Sequence, residues 1–140
     1  MEIVIPDVVV RDTGTAKGMG VFAKASLKQG QVVELCPIIT FKAPFKELPQ
    51  EVMTRVFDWA VLANAPGTHA IALGFGSMYN HQNPANMRYE ATCSGRFLQF
   101  VAVRDIEAGD ELTINYNGLG GSHESGGNHW FERTGVTPIG

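Results

Sequence analysis

The stretch Gly74-Phe75-Gly76-Ser77-Met78-Tyr79-Asn80-His81-Gln82-Asn83-Pro84-Ala85-Asn86 constrains the fold more than any other. Its first half is apolar and spaced by glycines, as a backbone requires where another segment passes close by. Its second half sets Asn80 beside His81, with Asn86 a short way beyond. Asn and His side chains donate and accept hydrogen bonds without carrying a fixed charge at neutral pH. Such groups after an apolar run suit the reading of a polar ligand. An Asn-rich turn stiffened by Pro84 is the structural alternative.

Short elements surround this stretch. Residues 8–11 are β-branched and read as a strand, bounded by Asp12-Thr13-Gly14. Lys17-Gly18-Met19-Gly20 then leads into a second strand, Val21-Phe22-Ala23. The helix that a dinucleotide-binding fold needs after its glycines is missing, so the two glycines signify only backbone that a ligand can approach. The spacing of Ala23, Leu27, Gly30 and Val33 returns in Ala102, Ile106, Gly109 and Leu112, two copies of one local device. In each, an apolar plug anchors a turn and glycine supplies the positive φ before the next strand.

Residues 32–35 and 38–41 are further strands, with an interruption expected at Pro37. Over 49–63 the apolar positions Val52, Met53, Val56, Phe57, Ala60 and Val61 form one stripe, and Pro49 suits a first turn, so a helix is expected there. Residues 87–91 and 96–103 read as a hairpin around Cys93-Ser94-Gly95, and 111–116 as another strand. A glycine-rich connection, 117–128, precedes Trp130-Phe131. Many short strands, Gly-rich turns and one inserted helix give an α+β, mostly β class.

A chain of 140 residues, 44% hydrophobic, suits one domain over 1–140, with a core at about 8–116 and a C-terminal segment 117–140. A net charge of −3 argues against nucleic acid as the main partner. Cys36 and Cys93 have no framework spacing, which favours free thiols, with a bridge as the alternative. The N-terminus has neither a basic n-region nor an apolar run long enough for export or membrane spanning, so a cytoplasmic or nuclear setting is expected. His123 and His129 lack an acidic or thiol set at ligand spacing, so no metal is expected.

Three pieces stand in order: Gly18-Met19-Gly20-Val21-Phe22-Ala23, Asn80-His81 with Asn86, and Glu111-Leu112-Thr113-Ile114-Asn115-Tyr116. Together they resemble the SET domain of protein lysine methyltransferases, over roughly 8–116, in its compact stand-alone viral and bacterial form. The resemblance implies several small twisted sheets and a C-terminal pseudoknot, whose threading would account for Gly74 and Gly76. It implies S-adenosylmethionine as cofactor, with Lys17, Gly18, Met19, Gly20 and Asn80 at the methionine end. The backbone of His81 would read the adenine and Trp130 would pack on it. Tyr116 would be the catalytic tyrosine, also touching the cofactor. Tyr89 would be a second tyrosine of the lysine channel, and Ile114 the position that tunes how many methyl groups are added.

The chain departs from the family in having Gln82 and Asn83 and an early Pro84, so the turn should differ in geometry while Asn86 keeps its place. No cysteine cluster follows Tyr116, so the channel's C-terminal wall must come from 118–131 or from a second subunit, as in a homodimer. The implied partner is a histone or other basic protein with an accessible lysine. The rival readings are a SET fold that binds cofactor or a lysine-bearing partner without transfer, and a small β interaction module.

The chemistry is coherent on its own terms. A lysine amine must be neutral to attack, and with a reference pKa of about 10.4 that costs about 4–5 kcal/mol at pH 7. A narrow apolar channel and a nearby positive charge both lower that cost. A tyrosine hydroxyl can then hold the amine in place without ionising.

Overall fold

The computed structural model describes residues 2–92, 95–127 and 129–136. In chain order it contains β1 (Val8–Asp12), β2 (Met19–Ala23), β3 (Val32–Lys42), α1 (Gln50–Met53), β4 (Phe57–Asp58), α2 (Trp59–Leu62) and β5 (Thr68–Ala72). β6 (Asn80–His81), β7 (Met87–Thr92), β8 (Phe97–Ala102), β9 (Thr113–Ile114) and α3 (His129–Thr134) follow. β1 and β2 form an antiparallel hairpin, β4-β5-β3-β8-β7 a five-stranded sheet, and β6 with β9 a short parallel pair. The expected mostly β, α+β class is what the chain adopts. The expected hairpin is β7 with β8; Cys93 and Ser94, which come between them in sequence, lie outside the described residues.

Two element expectations need correction. β3 runs unbroken through Pro37, which is where the strand changes partner, from β8 over Val32–Pro37 to β5 over Ile38–Lys42. Proline has no N–H to give a ladder, but its carbonyl still accepts from the Leu73 N–H at 2.9 Å. The helix expected over 49–63 is two single turns, α1 and α2, with β4 between them. Tertiary contacts outweigh the helical pattern here. Phe57 pairs with Ala70 and packs its ring on Tyr89 at 5.3 Å, and Asp58 caps the new turn by accepting from the Ala60 N–H at 3.1 Å. Val61 is left 52% exposed, so the stripe was never one core face.

The two copies of the Ala-Leu/Ile-Gly device meet each other. The Leu27 N–H donates to the Ile106 carbonyl at 2.8 Å and the Ile106 N–H to the Leu27 carbonyl at 2.9 Å. The Gly30 N–H reaches Ala102 and the Gly109 N–H reaches Ala23, both at 2.8 Å. Both glycines have positive φ, 85° and 95°, as the spacing required. This reciprocal clasp continues into hydrogen bonds that carry β2 alongside residues 110–112.

The C-terminal segment crosses the Asn-His stretch on both sides, the expected pseudoknot. Along one side, the Asn86 amide donates to the Glu111 carbonyl at 2.8 Å and accepts from the Thr113 N–H at 2.9 Å. Along the other, the Ala85 N–H donates to the His123 carbonyl at 2.7 Å, and the Asn83 amide to the Ser125 carbonyl at 2.8 Å. The crossing does not explain Gly74 and Gly76, however. Their missing side chains make room for the Glu34 carboxylate and for Ala72 and the Phe100 ring. Farther along, Gly118 makes room for the turn back to Ser122 and Gly121 for the passage over β7, where a methyl group would strike the Ser122 and Tyr89 carbonyls.

Candidate active site

The parallel pairing of β6 with β9 sets His81 opposite Ile114, so the chain leaving β9 passes directly beside the His81 ring. The Tyr116 N–H donates to His81 Nδ1 at 3.1 Å, and an Nδ1 that accepts places the imidazole proton on Nε2. The Tyr116 hydroxyl donates to the Tyr79 carbonyl at 2.6 Å. Its ring packs on Trp130 at 4.5 Å, His81 at 5.3 Å and Phe131 at 6.2 Å. Three aromatic neighbours and two hydrogen bonds leave this tyrosine little freedom.

Two cavities meet at that ring. The larger, about 550 Å³, is bounded by Lys17, Gly18 and Met19 on one side and by Asn80, His81 and Phe131 on the other. The smaller, about 100 Å³, is a narrow slot walled by Phe57, Leu62, Tyr89 and Ile114. Thr54, Arg55, Tyr116 and Trp130 border both. Gly118, Gly120 and Trp130 line the slot on its C-terminal side.

The electrostatics keep the hydroxyls of Tyr116 and Tyr89 and the His81 ring neutral. Burial pushes the Tyr116 hydroxyl up to about 12; the Arg55 guanidinium pulls it down and Glu111 pushes it up by smaller amounts. Burial, then the Lys17 ammonium, lowers His81 to about 4. Burial raises Tyr89, whose hydroxyl makes only a long 3.4 Å bond to the Asn115 carbonyl. Ionising Tyr116 at pH 7 would cost about 7 kcal/mol, so it acts as a neutral hydrogen-bonding group.

The structure gathers Lys17, Gly18, Met19, Asn80, His81, Tyr116 and Trp130 around the large cavity and Tyr89 and Ile114 around the slot. Gly20 lines neither cavity. A methyl group there would lie 2.5 Å from Glu111, so that glycine makes room for a side chain. Lys17 donates to the His81 carbonyl at 2.9 Å, and the Asn80 amide to the Met19 carbonyl at 2.9 Å and to Glu111 at 2.7 Å. Sequence reasoning missed Arg55, which lies inside the expected helix, and gave no role to Glu111, the first residue of the third motif. Phe131 was visible beside Trp130, and an aromatic pair was the signal available. Among the described residues no three His, Cys, Asp or Glu side chains gather as metal ligands, and the His129 side chain lies outside the described set.

The profile of the SET domain family matches residues 18–117. The chain belongs to the SET-domain family. Its enzymes are protein lysine methyltransferases, the class that the three motifs resembled. A curated relative, the histone-lysine N-methyltransferase of Schizosaccharomyces pombe specific for histone H3 lysine 37, is 29% identical over 124 residues, 88% of this SET chain and 76% of that protein. Among solved structures, a candidate histone methyltransferase of Plasmodium falciparum superposes with a TM-score of 0.66 at 21% identity, covering 81% of this chain and 96% of that one. The Chaetomium thermophilum Polycomb Repressive Complex 2 bound to S-adenosylmethionine gives 0.61 at 21% identity, over 81% of this chain and 15% of that one. At such identities the structures establish the SET fold.

Proposed function

We propose that this SET domain transfers a methyl group from S-adenosylmethionine to the side-chain amine of a lysine in a histone or another basic protein. The observation that carries the reading is the meeting of a broad cleft and a narrow slot at the Tyr116 ring. A donor and an acceptor that enter by separate openings need such a junction.

The residues present fit the cofactor. About 550 Å³ lies within the range of small-molecule sites, and the cleft combines aromatic walls, Trp130 and Phe131, with a polar rim at Lys17 and Asn80. Asn80 spends its Nδ2 on Met19 and Glu111, which leaves its acceptor oxygen for a donor such as an ammonium. The Lys17 ammonium holds the His81 carbonyl, so an adenine read by that backbone would require Lys17 to turn aside. When bound, the cofactor supplies an activated methyl group on a sulfonium.

The chain's own residues do the rest. The apolar part of the slot, Phe57, Leu62, Tyr89 and Ile114, admits a lysine stem and disfavours its charged form. The Arg55 and Arg133 guanidinium groups on its border act in the same sense, and the Asp58 carboxylate acts against them. The amine therefore gives up its proton to solvent before attack, and Tyr116, held neutral, is no base for it. Its hydroxyl hydrogen is committed to the Tyr79 carbonyl, so its oxygen lone pairs remain to accept from the amine N–H and hold the nitrogen at the junction.

The test combines binding and turnover. S-adenosylmethionine should raise the melting temperature, since a ligand of the folded state alone stabilises it. Labelled cofactor with core histones and a panel of basic proteins should leave label on lysine, located by mass spectrometry. Tyr116→Phe should keep the thermal shift and lose turnover by about tenfold or more. A thermal shift with no transfer to any lysine would mark a binding domain without catalysis, and a fully active Tyr116→Phe would remove the role given to the hydroxyl.

A further inference from the structure

Glu34 lies near the start of β3 and is 2% exposed, so its carboxylate is inside the core. Among the described residues no cation pairs with it. Its two oxygens are each used once: Oε2 accepts from the Phe75 N–H at 2.9 Å and Oε1 from the Tyr79 hydroxyl at 2.7 Å. Gly74, at φ 126°, passes so close that a methyl group would stand 2.5 Å from Oε2. A buried carboxylate without a countercharge is costly, and an apolar side chain would serve packing better.

What the carboxylate holds points to its use. Tyr79 reaches from the core to the junction of the two cavities. Its side chain is fixed at one end, by Glu34 and by an edge contact with Phe100 at 4.8 Å. Its backbone carbonyl, at the other end, is the group on which the Tyr116 hydroxyl rests at 2.6 Å. The neighbouring Phe75 amide, the second group Glu34 holds, begins the 3-10 turn Gly76–Met78 that delivers Tyr79.

We propose that Glu34 is a positioning residue for methyl transfer: through the Tyr79 hydroxyl and the Phe75 amide it fixes the carbonyl that aims Tyr116. Glu34 touches neither cavity and acts only through that relay. The inference rests on the reading of Tyr116 given above. A displaced Tyr79 carbonyl would let the Tyr116 hydroxyl rotate, and alignment at the reacting centre would suffer while the cofactor cleft kept its shape.

Glu34→Gln keeps the volume but replaces two bonds to a carboxylate with weaker neutral ones: the amide oxygen can accept from the Phe75 N–H only if the Tyr79 hydroxyl turns round to accept from the amide N–H₂. The expected result is a kcat lower by about tenfold, with cofactor affinity and cofactor KM within about twofold of wild type. The double variant Glu34→Gln with Tyr116→Phe should be no slower than Tyr116→Phe alone, since both remove the same alignment. Tyr79→Phe removes the donor from the same pair and should behave alike, so it takes over the test if Glu34→Gln does not fold. A full kcat with only a lowered melting temperature would make Glu34 a core group and overturn the proposal, as would losses that multiply in the double variant. A Tyr116→Phe at full rate would instead remove the Tyr116 reading, and this inference with it.

Discussion

Acid should weaken this protein through His81, and by a predictable amount. The ring is 6% exposed, with its Nδ1 accepting from the Tyr116 N–H. Burial and the Lys17 ammonium lower its pKa from 6.5 to about 4. The unfolded chain, titrating near the ordinary value, therefore binds a proton that the folded chain refuses. The stability is intact above pH 6.5 and is lost as the pH falls toward 4, below which both states are protonated. At 1.36 kcal/mol per pKa unit the loss comes to about 3 kcal/mol.

Glu34 works with the opposite sign. Its raised pKa lets the folded state take up a proton earlier than the unfolded one, so acid favours folding through it. The two must be separated by substitution. In His81→Asn the amide oxygen stands near the place of Nδ1 and can still accept from Tyr116, but nothing there titrates. Urea unfolding from pH 7 down to pH 4, followed by tryptophan fluorescence, gives both stability curves. Wild type should lose about 3 kcal/mol more than His81→Asn over that range. Parallel curves would refute the account of a buried, neutral His81.

Three further outcomes follow from the site. Asn80→Ala should leave the fold intact and weaken S-adenosylmethionine about tenfold by calorimetry, about 1.4 kcal/mol; an unchanged Kd would make Asn80 a strut between Met19 and Glu111. Tyr89→Phe gives up only a 3.4 Å bond, so its melting should hardly change, while mass spectrometry should show a changed ratio of mono- to higher methylated lysine. Gly121→Ala combines a φ of 83° with a clash against the Tyr89 carbonyl, and should cost about 1–3 kcal/mol and lower kcat/KM for the protein substrate, with cofactor affinity kept.

The hydrogen-bonding motifs were legible because their chemistry is local. Asn80-His81 and Tyr116 announce themselves by residue type and order, and the structure places them around one junction. The reciprocal device was legible as a repeated spacing, though nothing in the spacing said that the copies would touch. The helix over 49–63 was misread because Phe57 answers to partners far along the chain, Tyr89 and Phe100, which periodicity within a window cannot register. Glu34 was invisible for a related reason. A lone glutamate in a strand reads as solvent-facing until the glycine that lies over it is known. Arg55 likewise gains meaning only from the two cavities it borders.

The clasp between Leu27 and Ile106 has a bearing on when the protein becomes competent. The rim of the cleft comes from residues 17–19 and its tyrosine from residue 116, and the contacts that bring these together are the reciprocal bonds and the run from Ala23 to Leu112 beyond them. Contacts so distant in sequence require the long loop between them to close first, at an entropic cost. A chain still emerging during synthesis, with residues 102–112 not yet released, holds half a cleft and no junction. Under the proposed function, affinity for the methyl donor would double as a report of completed folding, and the donor would select closed chains from those still searching.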